Sequence, residues 1–456
     1  MEENVNGQPI VDKSKAFSAI DVGTTKIVAL VGCSRENGTL EILGKGEVDS
    51  VGLKVGQVAN VAYASASIRE AVKFARETAG FFPENVVVGV AGRHIRTTKH
   101  CVPRNRVNPD APITQEELDD IMEDAYNVGY GADEQIIQVI PLNYCLNNIE
   151  TVENPINMTC NHIDANFHIV LGKIQCLNQL KQSVELAGLK LERFYLEPLA
   201  SAAAVLNDKQ KEEGVALIDI GGGTTDIAIF KDNVLCTTFV NPIAGNVITQ
   251  DIKMGCNISE AEAEMLKVNY GEAIKDFADE NVVYQFVDAC QNTKEISQKT
   301  LAGIIQSRVE DIIDAALMKI GTSVFGTNLG AGVVVTGGGS NLKNLPQLLT
   351  YKVRSTVKVS NPIEKVYYPQ DVTLFNNAKY STTVGLLMYA EELFNEKQQK
   401  LAASVVEEQQ PVVEEPVQAE SVETKVAEPH KPEGKKKQTP WIDRLTKTMT
   451  DIFDIH

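Results

Sequence analysis

At 456 residues the chain can hold two or more domains with sizeable cores, and 43% hydrophobic against 23% charged residues is ordinary for a globular protein. A formal net charge of −18 argues against broad nucleic-acid binding. The eight cysteines are scattered without a CxxC pair, which excludes a disulfide scaffold and fits thiols in a reducing cytoplasm, and no apolar run has the length of a spanning helix.

Residues 1–15 are polar and hold no apolar core for a signal peptide. The stretch 17–30 then runs as an apolar strand, Asp21, Gly23, Thr24, Thr25, the polar Lys26 and a second apolar strand. After short strand-like pieces from Gly46, residues 59–79 place apolar positions at helical spacing, and Pro83 closes the helix. Residues 85–167 read as an inserted α+β subdomain. It begins with a strand over 86–92, followed by a loop holding Pro103, Pro109 and Pro112. A Thr114/Glu117 capping box then opens a helix over about 115–128, and strands follow at 135–139 and 166–171. His94 and His100 lack partners at ligand spacing, so no metal site is expected there.

An amphipathic helix over 173–190 ends at Gly188. Glu197 and Pro198 open a helix of small residues through 206, where proline suits the first turn and the Ala/Ser run lets another backbone pack closely. Glu197 itself is either a charge favoured by the helix dipole or a carboxylate facing a ligand.

The rest of the chain is organised around residues 217–229. Two apolar runs flank Asp219, Gly221, Gly222, Gly223, Thr224, Thr225 and Asp226, which predicts the tip of a β-hairpin. Glycines there let the backbone approach a ligand, and successive N–H groups with threonine hydroxyls can cradle an anion. Asp219 makes sense beside a phosphate only if a hydrated Mg²⁺ lies between them. A single such turn could equally be a tight turn without a ligand. Its repetition at 17–30 points to two related half-molecules facing one nucleotide.

Further on, Ser259 and Glu262 form a capping box, and 296–319 has a long helical pattern. Residues 333–341 make a third strand-to-glycine turn, leading into a helix through 342–349, where a ligand's polar groups or a base could sit. The segment 380–390 begins a helix with small residues, matching the one at 199–206. Residues 402–440 are rich in Glu, Pro, Val and Gln, the composition of a disordered linker, and end in Lys435, Lys436 and Lys437. In 441–456, at 100° per residue, Trp441, Ile442, Leu445, Met449, Ile452, Phe453 and Ile455 fall within one arc of about 160°. Trp441, the sole tryptophan, stands at the helix entry as an interfacial anchor would. The long linker argues against self-packing and for binding to an anionic membrane surface.

Two phosphate turns, two small-residue helices and a third glycine turn, in this order, resemble the actin, heat-shock chaperone and sugar-kinase superfamily. Within it, SAIDVGTTKI, YLEPLASAAAVL, LIDIGGGTTDIAIF, AEMLK, VVVTGGGSNL and YSTTVGLLMYA, with the insertion at 85–167, resemble the bacterial cell-division actin homologues of the FtsA family over residues 14–395 and, after a gap, 441–456. The resemblance implies an α/β, actin-like two-lobed ATPase fold of duplicated ribonuclease-H-like domains. Its first lobe would take 14–84 and 168–203, the insertion 85–167, and the second lobe 204–245 and 327–395. A nucleotide-side subdomain would take 246–326, a disordered acidic linker 396–440, and an amphipathic membrane-targeting helix 441–456.

The same resemblance implies ATP and Mg²⁺ as cofactors, with Asp21 and Asp219 holding the metal through water. Gly23, Thr24, Thr25 and Lys26 would contact phosphates from one side, and Gly221, Gly222, Gly223, Thr224 and Thr225 from the other. Glu197 would orient the attacking water, Glu264 and Lys267 would touch ribose and adenine, and Gly337, Gly338, Gly339 and Ser340 would lie beneath the base. Implied partners are further copies of the chain in filaments, the tubulin-like division protein FtsZ, downstream division proteins and the cytoplasmic face of the membrane, with at most slow ATP hydrolysis. The alternatives are a sugar kinase, a DnaK-like chaperone or a pilus-assembly homologue. A kinase needs a substrate aspartate in the cleft, a chaperone needs a β-rich domain after 395, and the pilus homologue should lack this tail.

Overall fold

The computed structural model describes residues 13–408 apart from 36, 288–289, 291, 324–328 and 354. The expected helix over 441–456 and most of the expected linker lie outside the described residues. In chain order the body begins with β1 (Phe17–Val22), β2 (Lys26–Ser34) and β3 (Leu40–Asp49), a small pair β4 (Leu53–Lys54) and β5 (Gln57–Val58), helix α1 (Val61–Ala79) and β6 (Asn85–Val90). β1 is buried along its whole length, as in a strand covered on both faces. Asn60 caps α1 through its side chain, and Gly80 ends it in the left-handed conformation.

The insertion follows as β7 (Ile95–Asn105), α2 (Gln115–Tyr126), β8 (Glu134–Leu146), β9 (Glu150–Val152) and β10 (His162–Lys173). They form a separate sheet in the order β7-β10-β8-β9. One face of it packs on α2 through Ile121, Ile163, Phe167 and Leu171. Three expectations change here. The strand at 85–90 is not part of the insertion: β6 pairs with β1 in the first lobe's sheet. Pro103 lies in a strand rather than a loop, because β7 is an edge strand whose outer side needs no N–H donor. Pro141 is accommodated inside β8 by a register shift against β10. Finally, Thr114 caps α2 alone, since the Glu117 carboxylate is held instead by the Arg106 guanidinium at 2.8 and 3.0 Å.

The chain returns through α3 (Ile174–Leu186), β11 (Lys190–Leu196), α4 (Glu197–Val205) and α5 (Asp208–Glu213). The organising hairpin comes next as β12 (Val215–Ile220) and β13 (Thr225–Lys231), with β14 (Val234–Asn241) beside it. Then come α6 (Gly245–Cys256), α7 (Glu260–Tyr270), a hairpin of β15 (Val283–Val287) and β16 (Thr293–Ser297), and α8 (Gln298–Thr322). The chain closes with β17 (Val333–Thr336), α9 (Leu345–Val353), β18 (Val357–Val359), β19 (Val366–Tyr367) and α10 (Ser381–Glu408).

Two sheets result, ordered β11-β6-β1-β2-β3-β19 and β14-β13-β12-β17-β18. Each has three consecutive antiparallel strands extended on one side by parallel ones: β1–β3 with β6 and β11, and β12–β14 with β17 and β18. The duplication visible in the two glycine turns is therefore a duplication of whole sheets. Two further boundaries differ from expectation. Val366–Tyr367 pairs with Leu40–Glu41, and Val384, Leu386 and Leu387 of α10 enter the first lobe's core, so this part of 327–395 serves the first lobe. α10 also continues through 396–408, because that run lacks Pro and Gly and is rich in good helix formers.

Candidate nucleotide site

Between the two sheets lies a cavity of about 820 Å³, and both glycine turns line it. The register of each hairpin defines its turn. Val22 pairs with Ile27 in the first, leaving Gly23, Thr24, Thr25 and Lys26 at the tip, and Ile220 pairs with Thr225 in the second, leaving Gly221, Gly222, Gly223 and Thr224. The tips approach so closely that a Cβ on Gly222 would overlap the Thr25 hydroxyl and one on Gly223 the Thr24 hydroxyl. Thr24 Oγ1 accepts from the Gly56 amide at 2.9 Å, and Thr25 Oγ1 donates to Asn246 Oδ1 at 3.2 Å.

Asp21 and Asp219, at equivalent strand ends, are each 6% exposed. Asp21 Oδ2 accepts from Thr383 Oγ1 at 3.1 Å and has Lys26 Nζ at 3.9 Å. Asp219 Oδ2 accepts from Ser201 Oγ at 2.5 Å and Thr382 Oγ1 at 3.2 Å. These donors come from α4 and α10, which cross closely because residue 385 is glycine: a Cβ there would overlap the Ala200 carbonyl. The small-residue helices thus carry hydroxyls to the two carboxylates. Gly337, at φ +85°, brings the third turn against Asp219 where a Cβ would strike Oδ1.

Burial pushes both aspartates above the usual carboxylate range, while Lys26 and the hydroxyl donors pull them back. Glu197, at the start of α4, is raised further by burial and by Asp21, Asp226 and Asp219. Asp226 is raised well above its ordinary value by burial and by Asp219, and its Oδ1 has no hydrogen-bond partner among the described residues. Burial lowers Lys26. Among the described residues no group of three or more His, Cys, Asp and Glu side chains could grip a metal directly. Two buried carboxylates and an orphaned carboxylate oxygen do fit a Mg²⁺ that keeps its own waters.

The other expected residues divide into two sets. Glu264 and Lys267 line the cavity and pair at 2.7 Å, with Lys267 Nζ also donating to Gly245 O and Thr249 Oγ1. Gly337, Gly338 and Gly339 line it too. Thr225 and Ser340 do not: their hydroxyls donate to Ile243 O and Gly337 O, at 2.8 and 2.7 Å, and so brace the turns. Lys26 lines the cavity, but its Nζ donates to the Lys379 carbonyl at 2.6 Å.

Glu47 had no signal in the sequence. Its carboxylate accepts from Lys379 Nζ and Tyr380 OH, each at 2.7 Å, and has Lys45 Nζ at 2.7 Å. Burial would raise Glu47, but these donors overturn that effect and hold it at about 2. Asp226 was visible within the organising stretch, but its role becomes apparent only once the hairpin register places it opposite Asp219.

The family model described as cell division protein FtsA matches residues 216–385, and one described as the SHS2 domain inserted in FtsA matches 92–171. A segment at 178–235 matches the Hsp70 protein family. A cell division protein FtsA of Pseudomonas aeruginosa is 32% identical over 382 residues, covering 83% of this chain and 90% of that one. The Bacillus subtilis protein of that name is 30% identical over 383 residues, covering 83% and 84%. Among solved structures, the PilM-PilN type IV pilus biogenesis complex aligns with a TM-score of 0.60 at 15% identity, over 84% of this chain and 99% of the other. MreB5 of Spiroplasma citri bound to ADP aligns at 0.50 and 14%, over 85% and 99%. These structural likenesses establish an actin-like fold.

Proposed function

The chain belongs to the FtsA family of cell division proteins, and from that premise we propose that it is an ATP-binding, polymerising tether. In this reading it holds the tubulin-like FtsZ ring to the cytoplasmic face of the membrane at the septum and helps recruit the division machinery. The observation that carries the nucleotide half is the meeting of two equivalent glycine turns, each headed by a buried aspartate, over one cavity. Thr24, Thr25 and Lys26 would bind phosphates by side chain, and Gly221, Gly222 and Gly223 by backbone. Asp21 and Asp219 would orient the waters of Mg²⁺, which supplies charge neutralisation when bound. Glu197 would hold the attacking water in any hydrolysis.

The tether half rests on the sequence of the tail, since no helix among the described residues is long and apolar enough to cross a membrane. The apolar arc from Trp441 to Ile455 could contribute on the order of several kcal/mol of membrane binding. Lys435, Lys436 and Lys437 would add roughly 1 kcal/mol each near an anionic leaflet. Asp443, Asp451 and Asp454 oppose this, so one helix binds weakly and a filament binds tightly by avidity. The test is pelleting with anionic liposomes, with and without nucleotide, for the full chain, a chain ending at 440, and a double variant Trp441→Glu, Phe453→Glu. Both altered chains should stay in the supernatant. If the double variant pellets as the parent does, the tail docks on protein and the tether reading fails.

A further inference from the structure

Beyond Lys267 the cavity continues to two tyrosines. Tyr270 ends α7 and Tyr284 lies on β15; both line the cavity, and their rings stack with centroids 4.1 Å apart and planes at 19°. Tyr270 remains 40% exposed. The wall behind them is braced. Glu272, fully buried, accepts from Lys343 Nζ at 3.0 Å, from Gln298 Nε2 at 3.3 Å and from the Asn344 amide. This ties the end of α7 to the start of α8 and to the segment after the third glycine turn.

Two polar side chains that line this end of the cavity, Gln298 and Asn341, are already engaged. Gln298 accepts from the Asp279 amide at 3.1 Å while donating to Glu272. Asn341 Nδ2 donates to Gly338 O at 3.2 Å and Asn377 Oδ1 at 2.9 Å. What the braced wall offers a ligand is a flat aromatic surface, which suits a planar heteroaromatic ring.

Resting on the nucleotide reading above, we propose that the Tyr270–Tyr284 pair is the base-stacking wall of the cleft, with the base of a bound nucleoside triphosphate continuing the tyrosine stack. The pair then contributes affinity through the base alone, and the two glycine turns contribute it through the phosphates. The ring matters and the hydroxyl does not.

Titration calorimetry of the full chain with Mg·ATP and with Mg·tripolyphosphate separates the two. Tyr284→Ala should weaken Mg·ATP by roughly tenfold, and Tyr284→Phe should stay within about twofold of the parent. Mg·tripolyphosphate, which has no base, should bind all three proteins alike. If the parent binds Mg·ATP but not tripolyphosphate, the contrast between Tyr284→Ala and Tyr284→Phe decides alone. The proposal is overturned if Tyr284→Ala binds Mg·ATP like the parent, or if it loses tripolyphosphate by the same factor. A parent that binds neither ligand overturns the nucleotide reading itself.

Discussion

Across the first hairpin the residue opposite Asp21 is Val28, whereas across the second the residue opposite Asp219 is Asp226. Counted from these pairs, Thr24, Thr25 and Lys26 of the first tip stand where Gly222, Gly223 and Thr224 stand in the second. One turn therefore brings hydroxyls and a cation. The other brings bare backbone, the space those hydroxyls occupy, and a carboxylate in its second strand. The shared frame comes from duplicated sheets. The difference in side chains makes two similar turns complementary, so that they fit against each other over one cavity.

The largest expected effect attacks that fit. Gly222→Ala puts a methyl where Thr25 Oγ1 lies, and moving the tips apart should cost roughly a hundredfold in Mg·ATP affinity by calorimetry. Thr25→Ala removes a donor without pushing the tips apart, and should cost about tenfold. Equal losses would mean that the turns act as interchangeable copies.

Next comes the carboxylate that only the second hairpin has. The folded-state pKa of Asp226 is raised, so its charged form opposes folding above the unfolded value, and the penalty is relieved as pH falls through the folded value. The nucleotide-free protein should therefore gain thermal stability as pH falls toward the ordinary carboxylate range. Asp226→Asn should be the more stable protein at the upper end, by a few degrees, and show a flatter pH dependence. A variant less stable than the parent at pH 8 would show that the hydrogen bond from Thr224 Oγ1 to Asp226 Oδ2, at 3.4 Å, outweighs the cost of burying the charge.

The smallest effect concerns the support of the first turn's cation. Lys26 is held by the Lys379 carbonyl, and the Lys379 side chain by Glu47. Because Glu47 is depressed to about 2, its stabilisation is fully present above 4.5 and is lost as pH falls toward 2. Glu47→Gln should cost about 1–2 kcal/mol near neutrality in denaturant unfolding, and the difference should shrink below pH 4.5. A cost that stays constant with pH would assign it to packing.

The sequence made some of this legible for physical reasons. Apolar runs either side of Asp21 and Asp219 can be read directly, because strands covered on both faces are continuously apolar. The close crossing of α4 and α10 follows from their small residues. Counting threonines along the chain, however, aligns Thr24-Thr25 with Thr224-Thr225, whereas strand pairing aligns them with Gly222-Gly223. Only the register shows which threonine reaches the cavity and which braces a turn. Ser201, Thr382 and Thr383 lie in the two small-residue helices that the sequence marks, but only tertiary packing shows their hydroxyls on the two aspartates, and Glu47 and Lys379 left no local signal at all. Glu117 looked like half of a capping box, but Arg106, distant from it in the local pattern, claims its carboxylate.

The complementary-turn account is tested most directly by titrating Mg·ATP into the parent, Asp21→Ala and Asp219→Ala. It predicts one nucleotide per chain, with each substitution weakening Mg²⁺-dependent binding by roughly tenfold to a hundredfold, because in the proposed reading both aspartates would hold the same metal's waters. Two nucleotides per chain, or an Asp219→Ala protein that binds Mg·ATP as tightly as the parent, would contradict it.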